Sequence, residues 1–277
     1  MLQVARLAPS LLQEAADRVA EFFLSQLNDD GGARDKSGKS DLYYTVFVLD
    51  GLVALKRDVP VDRVRPYLEK HGDGAKLDLV HQACLARCWA ALPKGSFAHA
   101  EKLAERLEKL REDDGGFGSL YLTFVAQGAL EDLGRTPKPD GIADMIASLA
   151  QPDGGYANNA DIPAATTPTT AGAVTILQHL GAPVPPKAIE YLLARFHPDG
   201  GGFRAVPLAP IPDLLSTATA LHALVAAHAP IAGVKEKTLD FVDSLWTGKG
   251  FCGNWDEEAP DVEYTFYALL SLGHLSL

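Results

Sequence analysis

Three cysteines, Cys84, Cys88 and Cys252, are too few and odd in number for a disulfide framework, and a chain of 277 residues can build a core without staples. Basic residues are also scarce: twenty-five Lys and Arg against thirty-six Asp and Glu leave a net charge of −11. A nucleic acid or an anionic membrane surface needs a basic face that releases counterions, so neither is expected as the main partner. No run of about 18 apolar residues is present, so no membrane span is expected. The opening stretch, MLQVARLAPSLLQEAADRV, lacks a signal-type apolar run of roughly 7–15 residues and carries Glu14 and Asp17. These absences predict a reducing, cytoplasmic setting. There is also no P-loop and no well-placed dinucleotide fingerprint. Ser216 and Thr217 precede His222 on one helix, but His at i+5 or i+6 is not oriented toward either, so no nucleophile–base triad is read there.

What the chain does have is an internal repeat. Glycine punctuation recurs at Gly31-Gly32, Gly72-Asp73-Gly74, Gly115-Gly116, Gly154-Gly155, Gly200-Gly201-Gly202 and Gly248-Lys249-Gly250. In four units an aromatic follows: Phe117, Tyr156, Phe203 and Phe251. A loop then leads to a residue of capping type, Asp41, Asp78, Ser119, Thr166, Asp213 or Asp261, at successive spacings of 37, 41, 47, 47 and 48 residues. Five of these caps have Thr four positions on: Thr45, Thr123, Thr170, Thr217 and Thr265. Asp, Ser and Thr open helices because their side-chain oxygen accepts an orphaned N–H of the first turn. Glycine ends helices because it takes the left-handed conformation without a Cβ penalty.

Each unit therefore reads as helix, glycine stop, loop, cap, helix. The segments before the glycines (10–28, 60–71, 100–112, 138–151, 186–197 and 233–246) are amphipathic, as in AEKLAERLEKLRE. Those after the caps are apolar nearly all round, as in LLSTATALHALVAAH, and a helix apolar on every side is buried on every side. Six amphipathic outer and six buried inner helices predict two concentric layers. An open solenoid with two helices per unit would carry more charge on the inner helices facing its concave side, so the pattern favours a closed ring, with the open superhelix as the alternative.

The units also resemble a known family. Gly250-Phe251 through Asp261-Val-Glu-Tyr264-Thr265 is similar to the repeat of protein prenyltransferase β subunits. Asp78-Leu79-Val-His-Gln-Ala-Cys84 is similar to an inner-helix entry there, and Gln151-Pro-Asp-Gly-Gly155-Tyr156 to a motif of squalene and terpene cyclases. The resemblance covers essentially the whole chain. It implies an all-α, α/α toroid over residues 1–277 as one domain, with inner-helix starts ringing the mouth of a central funnel. The family's zinc set of Asp, Cys and His falls on Asp213, Leu215 and Tyr264, and two diphosphate-binding cations fall on Pro207 and Pro210, with Arg204 nearby. Thr166 stands where the family has a phosphate-binding His. No zinc or other cofactor is therefore expected, and no metal ligands are assigned. The proton-donating Asp-x-Asp-Asp of cyclases and the Cys-Gly-Glu-Gln of thioester rings are absent.

The leading expectation is a prenyltransferase-like ring that binds an isoprenoid or other lipid-like chain in an apolar cavity, with no zinc-dependent prenyl transfer. The alternative is a non-catalytic ring that serves as a scaffold for a protein partner or a second copy. A third reading is an enzyme using Asp213, Arg204 and Tyr264. The candidate catalytic residues are Asp213 and Tyr264; Tyr43, Tyr44, Arg204 and Trp255 are candidate cavity or ligand-binding residues. His81, Cys84 and Cys88 share one helix face but read as packing, while His222 and His228 lie on different faces of theirs. His179 and His274 read as residues placed at helix ends, near the terminal carbonyls.

Overall fold

A computed structural model describes residues 1–136 and 141–277. Six inner helices, α4 (Leu42–Ala54), α6 (Leu79–Ala90), α8 (Leu120–Asp132), α10 (Thr167–His179), α12 (Leu214–Ala226) and α14 (Val262–Leu275), follow the six caps. Each packs on the next and α14 returns to α4, so the ring is closed. The outer layer is α3 (Ala15–Ser25), α5 (Val61–Glu69), α7 (Ala100–Lys109), α9 (Ile142–Ser148), α11 (Pro186–Leu193) and α13 (Lys235–Ser244). The fourth outer segment was expected to start at 138, which lies outside the described residues; the helix there begins at Ile142.

The caps act as the sequence implies. Asp213 accepts from the Ser216 N–H at 2.7 Å, Asp78 from His81 at 2.9 Å, Ser119 from Leu122 at 3.1 Å and Thr166 from Thr169 at 3.2 Å. Asp41 and Asp261 reach the N–H two residues on, at 2.8 and 2.7 Å. The Thr four positions later has a second task. Its hydroxyl accepts the backbone N–H of the residue after the glycines: Ala33 to Thr45, Phe117 to Thr123, Tyr156 to Thr170, Phe203 to Thr217 and Phe251 to Thr265, all at 2.9–3.0 Å. These threonines are fully buried, so each ties its loop to its inner helix where water cannot substitute. The exception is the second unit. There Gln82 stands at the Thr position and donates to the Leu77 carbonyl at 2.8 Å.

The glycines bring each loop onto the next outer helix. A Cβ on Gly201 (φ +77°) would stand 2.1 Å from the Lys237 carbonyl oxygen, and one on Gly31 (φ +93°) 1.9 Å from that of Arg63. No side chain fits either place. The aromatics after the glycines are buried in the same seams, at 3% exposure or less.

The N-terminal end departs from expectation. Instead of one outer helix over 10–28, the chain forms α1 (Leu2–Ala5), α2 (Pro9–Leu12) and then α3. Gln13 takes φ +50°, which breaks the helix between α2 and α3. α1 packs against α4 and α14, where Gly273 admits it: a Cβ there would lie 2.1 Å from the Val4 carbonyl oxygen.

Candidate functional site

The closed ring leaves a lumen with two chambers. The upper one, about 190 Å³, lies among the first turns of the inner helices. Its walls are mostly apolar: Val46, Phe47, Ala83, Phe124, Val125, Leu215, Phe266 and Tyr267 among them. Aromatic rings pack edge-on along one side, Tyr43 on Phe47 at 5.0 Å and Phe47 on Tyr267 at 5.8 Å between centroids. Cys84 also lines it, and burial pushes its thiol up to about 12, so it is a small apolar wall group and not a nucleophile.

One polar pair interrupts this surface. The Tyr43 hydroxyl donates to Glu263 Oε1 at 2.7 Å, and both residues line the chamber. Burial raises the Glu263 carboxyl above its ordinary value; the Tyr43 hydrogen bond works against that rise. Burial likewise raises the Tyr43 phenol, so it stays a donor at neutral pH.

Arg87, Phe124, Val125, Thr175 and Met1 border both chambers and form the waist between them. The lower chamber, about 520 Å³, is more polar and includes Asp50, Glu131, Asp132, Gln127, His179 and His222. Arg87 forms an ion pair with Asp50, which is 4% exposed, and its Nε lies 3.9 Å from Asp132. Burial raises both carboxyls, Asp132 to about 6, while Arg87 holds them down. His222 Nδ1 lies 3.0 Å from His274 Nε2. Burial depresses the pair to about 3 and 4, so at neutral pH both rings are uncharged and one donates to the other. His274 is therefore a buried partner of His222 as well as a helix-end residue.

Of the residues singled out in the sequence, Tyr43 lines the upper chamber. Tyr44 lies instead in a rim cleft of about 550 Å³ with Arg34, Lys36, Glu257, Glu258 and Asp261. Arg204, Trp255, Asp213 and Tyr264 line none of these three spaces. The Arg204 backbone joins neighbouring units: its N–H donates to the Arg195 carbonyl at 3.0 Å, and its carbonyl accepts from the Thr167 hydroxyl. Trp255 donates to Ser244 Oγ at 2.9 Å and sits edge-on to Phe241, with 45% of its surface exposed. Tyr264 covers Gly253, whose Cβ would fall 2.6 Å from its ring, and Asp213 is occupied as a cap. His81 bridges two caps, with Nδ1 2.9 Å from Asp78 and Nε2 3.2 Å from Asp41.

The lumen residues that sequence reasoning passed over are Phe47, Phe124, Tyr267, Glu263 and the Asp50–Arg87–Asp132 group. A signal for the last was visible: Asp50 and Arg87 are charges within helices otherwise apolar all round, and a buried charge requires a partner. Among the described residues, no group of three or more His, Cys, Asp or Glu side chains is arranged to hold a metal ion. Leu215 and Tyr264, at the positions corresponding to two zinc ligands, offer neither thiolate nor imidazole, so these residues do not fit a catalytic zinc.

No curated protein sequence matches this chain. Among solved structures, the ring is similar to the type II terpene cyclase MstE from Scytonema in its apo form, at 14% identity and TM-score 0.61, covering 100% of this chain and 98% of that one. A variant of that enzyme in complex with geranylgeranyl dihydroxybenzoate matches at 13% identity and TM-score 0.64, covering 97% of each chain. Protein geranylgeranyltransferase-I from Candida albicans is more distant, at 16% identity and TM-score 0.43, over 98% of this chain and 83% of that one. The family description "Prenyltransferase alpha-alpha toroid domain" matches residues 8–85 and 170–276, the first units and the last. The chain belongs to the prenyltransferase α/α toroid family.

Proposed function

We propose that the protein binds an isoprenoid or other lipid-like chain in the lumen of its ring, with the chain seated in the upper chamber. The observation that carries this reading is the chamber itself, an apolar cavity walled by aromatic and aliphatic side chains and not filled by them. An apolar chain leaving water for such walls gains about 25 cal/mol for each Å² buried. Family membership and the prenylated substrate held by the similarly folded MstE variant support the same class of ligand. At about 190 Å³ the upper chamber is smaller than ligand pockets of roughly 300–1,000 Å³, so a long chain must pass the waist into the lower chamber. Zinc-dependent prenyl transfer forms no part of the proposal, because the residues present do not supply the ligands.

Native mass spectrometry of freshly purified protein tests this reading. A co-purified apolar molecule, or uptake of an added isoprenoid at one per chain, is the expected result. A protein that takes up no isoprenoid while forming a stable complex with another protein would favour the scaffold reading instead.

A further inference from the structure

We infer that the molecule taken by the upper chamber ends in an uncharged hydrogen-bond donor, a hydroxyl or phenol received by Glu263, and not in a phosphate or diphosphate. The inference rests on the reading that the chamber holds an isoprenoid chain, and it specifies the polar end of that chain.

The charge inventory points this way. Among the described residues that line the upper chamber, the charged groups are the Arg87 and Glu263 side chains and the Met1 ammonium, which lies at the waist in the field of Asp50, Glu131 and Asp132. Arg87 is already committed, paired with the buried Asp50 and close to Asp132. A phosphate could use it only by taking it from Asp50, and stranding that carboxylate would be strongly unfavourable. The cations at the rim stand among carboxylates. Lys36 and Arg34 share the rim cleft with Asp35, Glu257, Glu258 and Asp261, and Arg34 is held by the Ser25 carbonyl at 2.6 Å. Inner-helix N-termini attract anions through roughly half a positive charge each, but four of the six here carry an Asp cap. A multiply charged anion would thus enter a low-dielectric chamber against Glu263, where Arg87 is engaged by Asp50 and the buried Met1 ammonium at the waist is already drawn to Asp50, Glu131 and Asp132.

The same geometry suits a neutral donor. Glu263 spends Oε1 on the Tyr43 hydroxyl, and among the described residues its Oε2 accepts no hydrogen bond. Tyr43 holds the carboxylate in place, and apolar walls surround the pair. A hydroxyl on the chain's end can donate to Oε2 without bringing charge into the chamber. A hydrogen bond to an ionised carboxylate in such a site adds roughly ten- to a hundredfold in affinity.

The test compares three probes with one carbon skeleton, measured by displacement of an environment-sensitive fluorophore from the full-length protein: geraniol, geranyl diphosphate and the hydrocarbon lacking the oxygen. Geraniol is expected to bind at least about tenfold tighter than the hydrocarbon, with the diphosphate weakest. Glu263→Met is expected to erase the alcohol's advantage while leaving hydrocarbon binding in place. Glu263→Gln, which keeps the side chain's shape and loses its charge, should shrink the alcohol's advantage and serves if the first variant does not fold. Equal binding of alcohol and hydrocarbon, or tighter binding of the diphosphate, overturns the inference while leaving an apolar chamber. Failure of all three probes to bind overturns the chamber reading itself.

Discussion

Replacing Thr217 by valine removes one hydroxyl and almost no volume, which makes it a sharp test of what the repeat is for. That hydroxyl accepts the Phe203 N–H at 2.9 Å and donates to the Asp213 carbonyl at 2.7 Å, in a position with no exposed surface. The Asp213 carbonyl keeps a partner in the variant, because it also accepts the Thr217 N–H at 3.0 Å. The Phe203 N–H does not, and valine seals it from water. An orphaned buried donor costs about 1–3 kcal/mol and the lost second bond about 1 more, so Thr217→Val should destabilise by about 2–4 kcal/mol. For a chain of this size that corresponds to a fall in Tm of roughly 4–16 °C. Thr217→Ser keeps both hydrogen bonds and loses one buried methyl, at about 1 kcal/mol. Urea unfolding followed by far-UV circular dichroism measures both variants. A valine variant as stable as the parent, or more stable than the serine variant, would refute the stitching role of these threonines.

Two further outcomes follow from the lower chamber. Arg87→Met leaves Asp50 buried without its partner and should cost about 3–5 kcal/mol; adding Asp50→Leu should recover most of that loss in the same unfolding assay. The His222–His274 pair should make the protein acid-sensitive. Its folded-state pKa values, about 3 and 4, lie below the ordinary histidine value, so the unfolded chain takes up protons first as pH falls. The stability this pair contributes is complete above about pH 6.5 and is lost as pH falls toward 4. Asp132, raised to about 6, works in the opposite sense over part of that window, so the quantity to measure is the difference in urea midpoint between parent and His222→Gln across pH. A difference that does not change with pH would contradict the assignment.

The ring was legible in the sequence because its construction repeats locally. Each cap, each Thr four residues later and each glycine stop is a short-range signal, and six copies in near-regular spacing admit few arrangements. The lumen was much less legible. Its walls draw a few residues each from helices far apart in the chain, Tyr43, Phe124, Leu215 and Tyr267 among them. Helices apolar on every side give no periodic cue to which face turns inward. Candidates chosen for nearness to helix starts therefore scattered: Tyr43 faces the chamber and Tyr44 the rim, while Tyr264 packs on a loop glycine. Glu263, one residue before Tyr264, lay at the start of its helix and was passed over because it matched no family position. The N-terminal helix in the lower mouth had no sequence signature beyond Gly273, whose purpose emerges only when Val4 is seen against it.

The most direct test of the central claim is a crystal structure of the protein grown with a saturating short isoprenoid alcohol. The account predicts continuous density for the chain in the upper chamber, bounded by Phe47, Phe124 and Tyr267, with its oxygen within hydrogen-bond distance of Glu263. Density confined to the rim cleft or the outer surface, with side chains collapsed across an empty chamber, would contradict it.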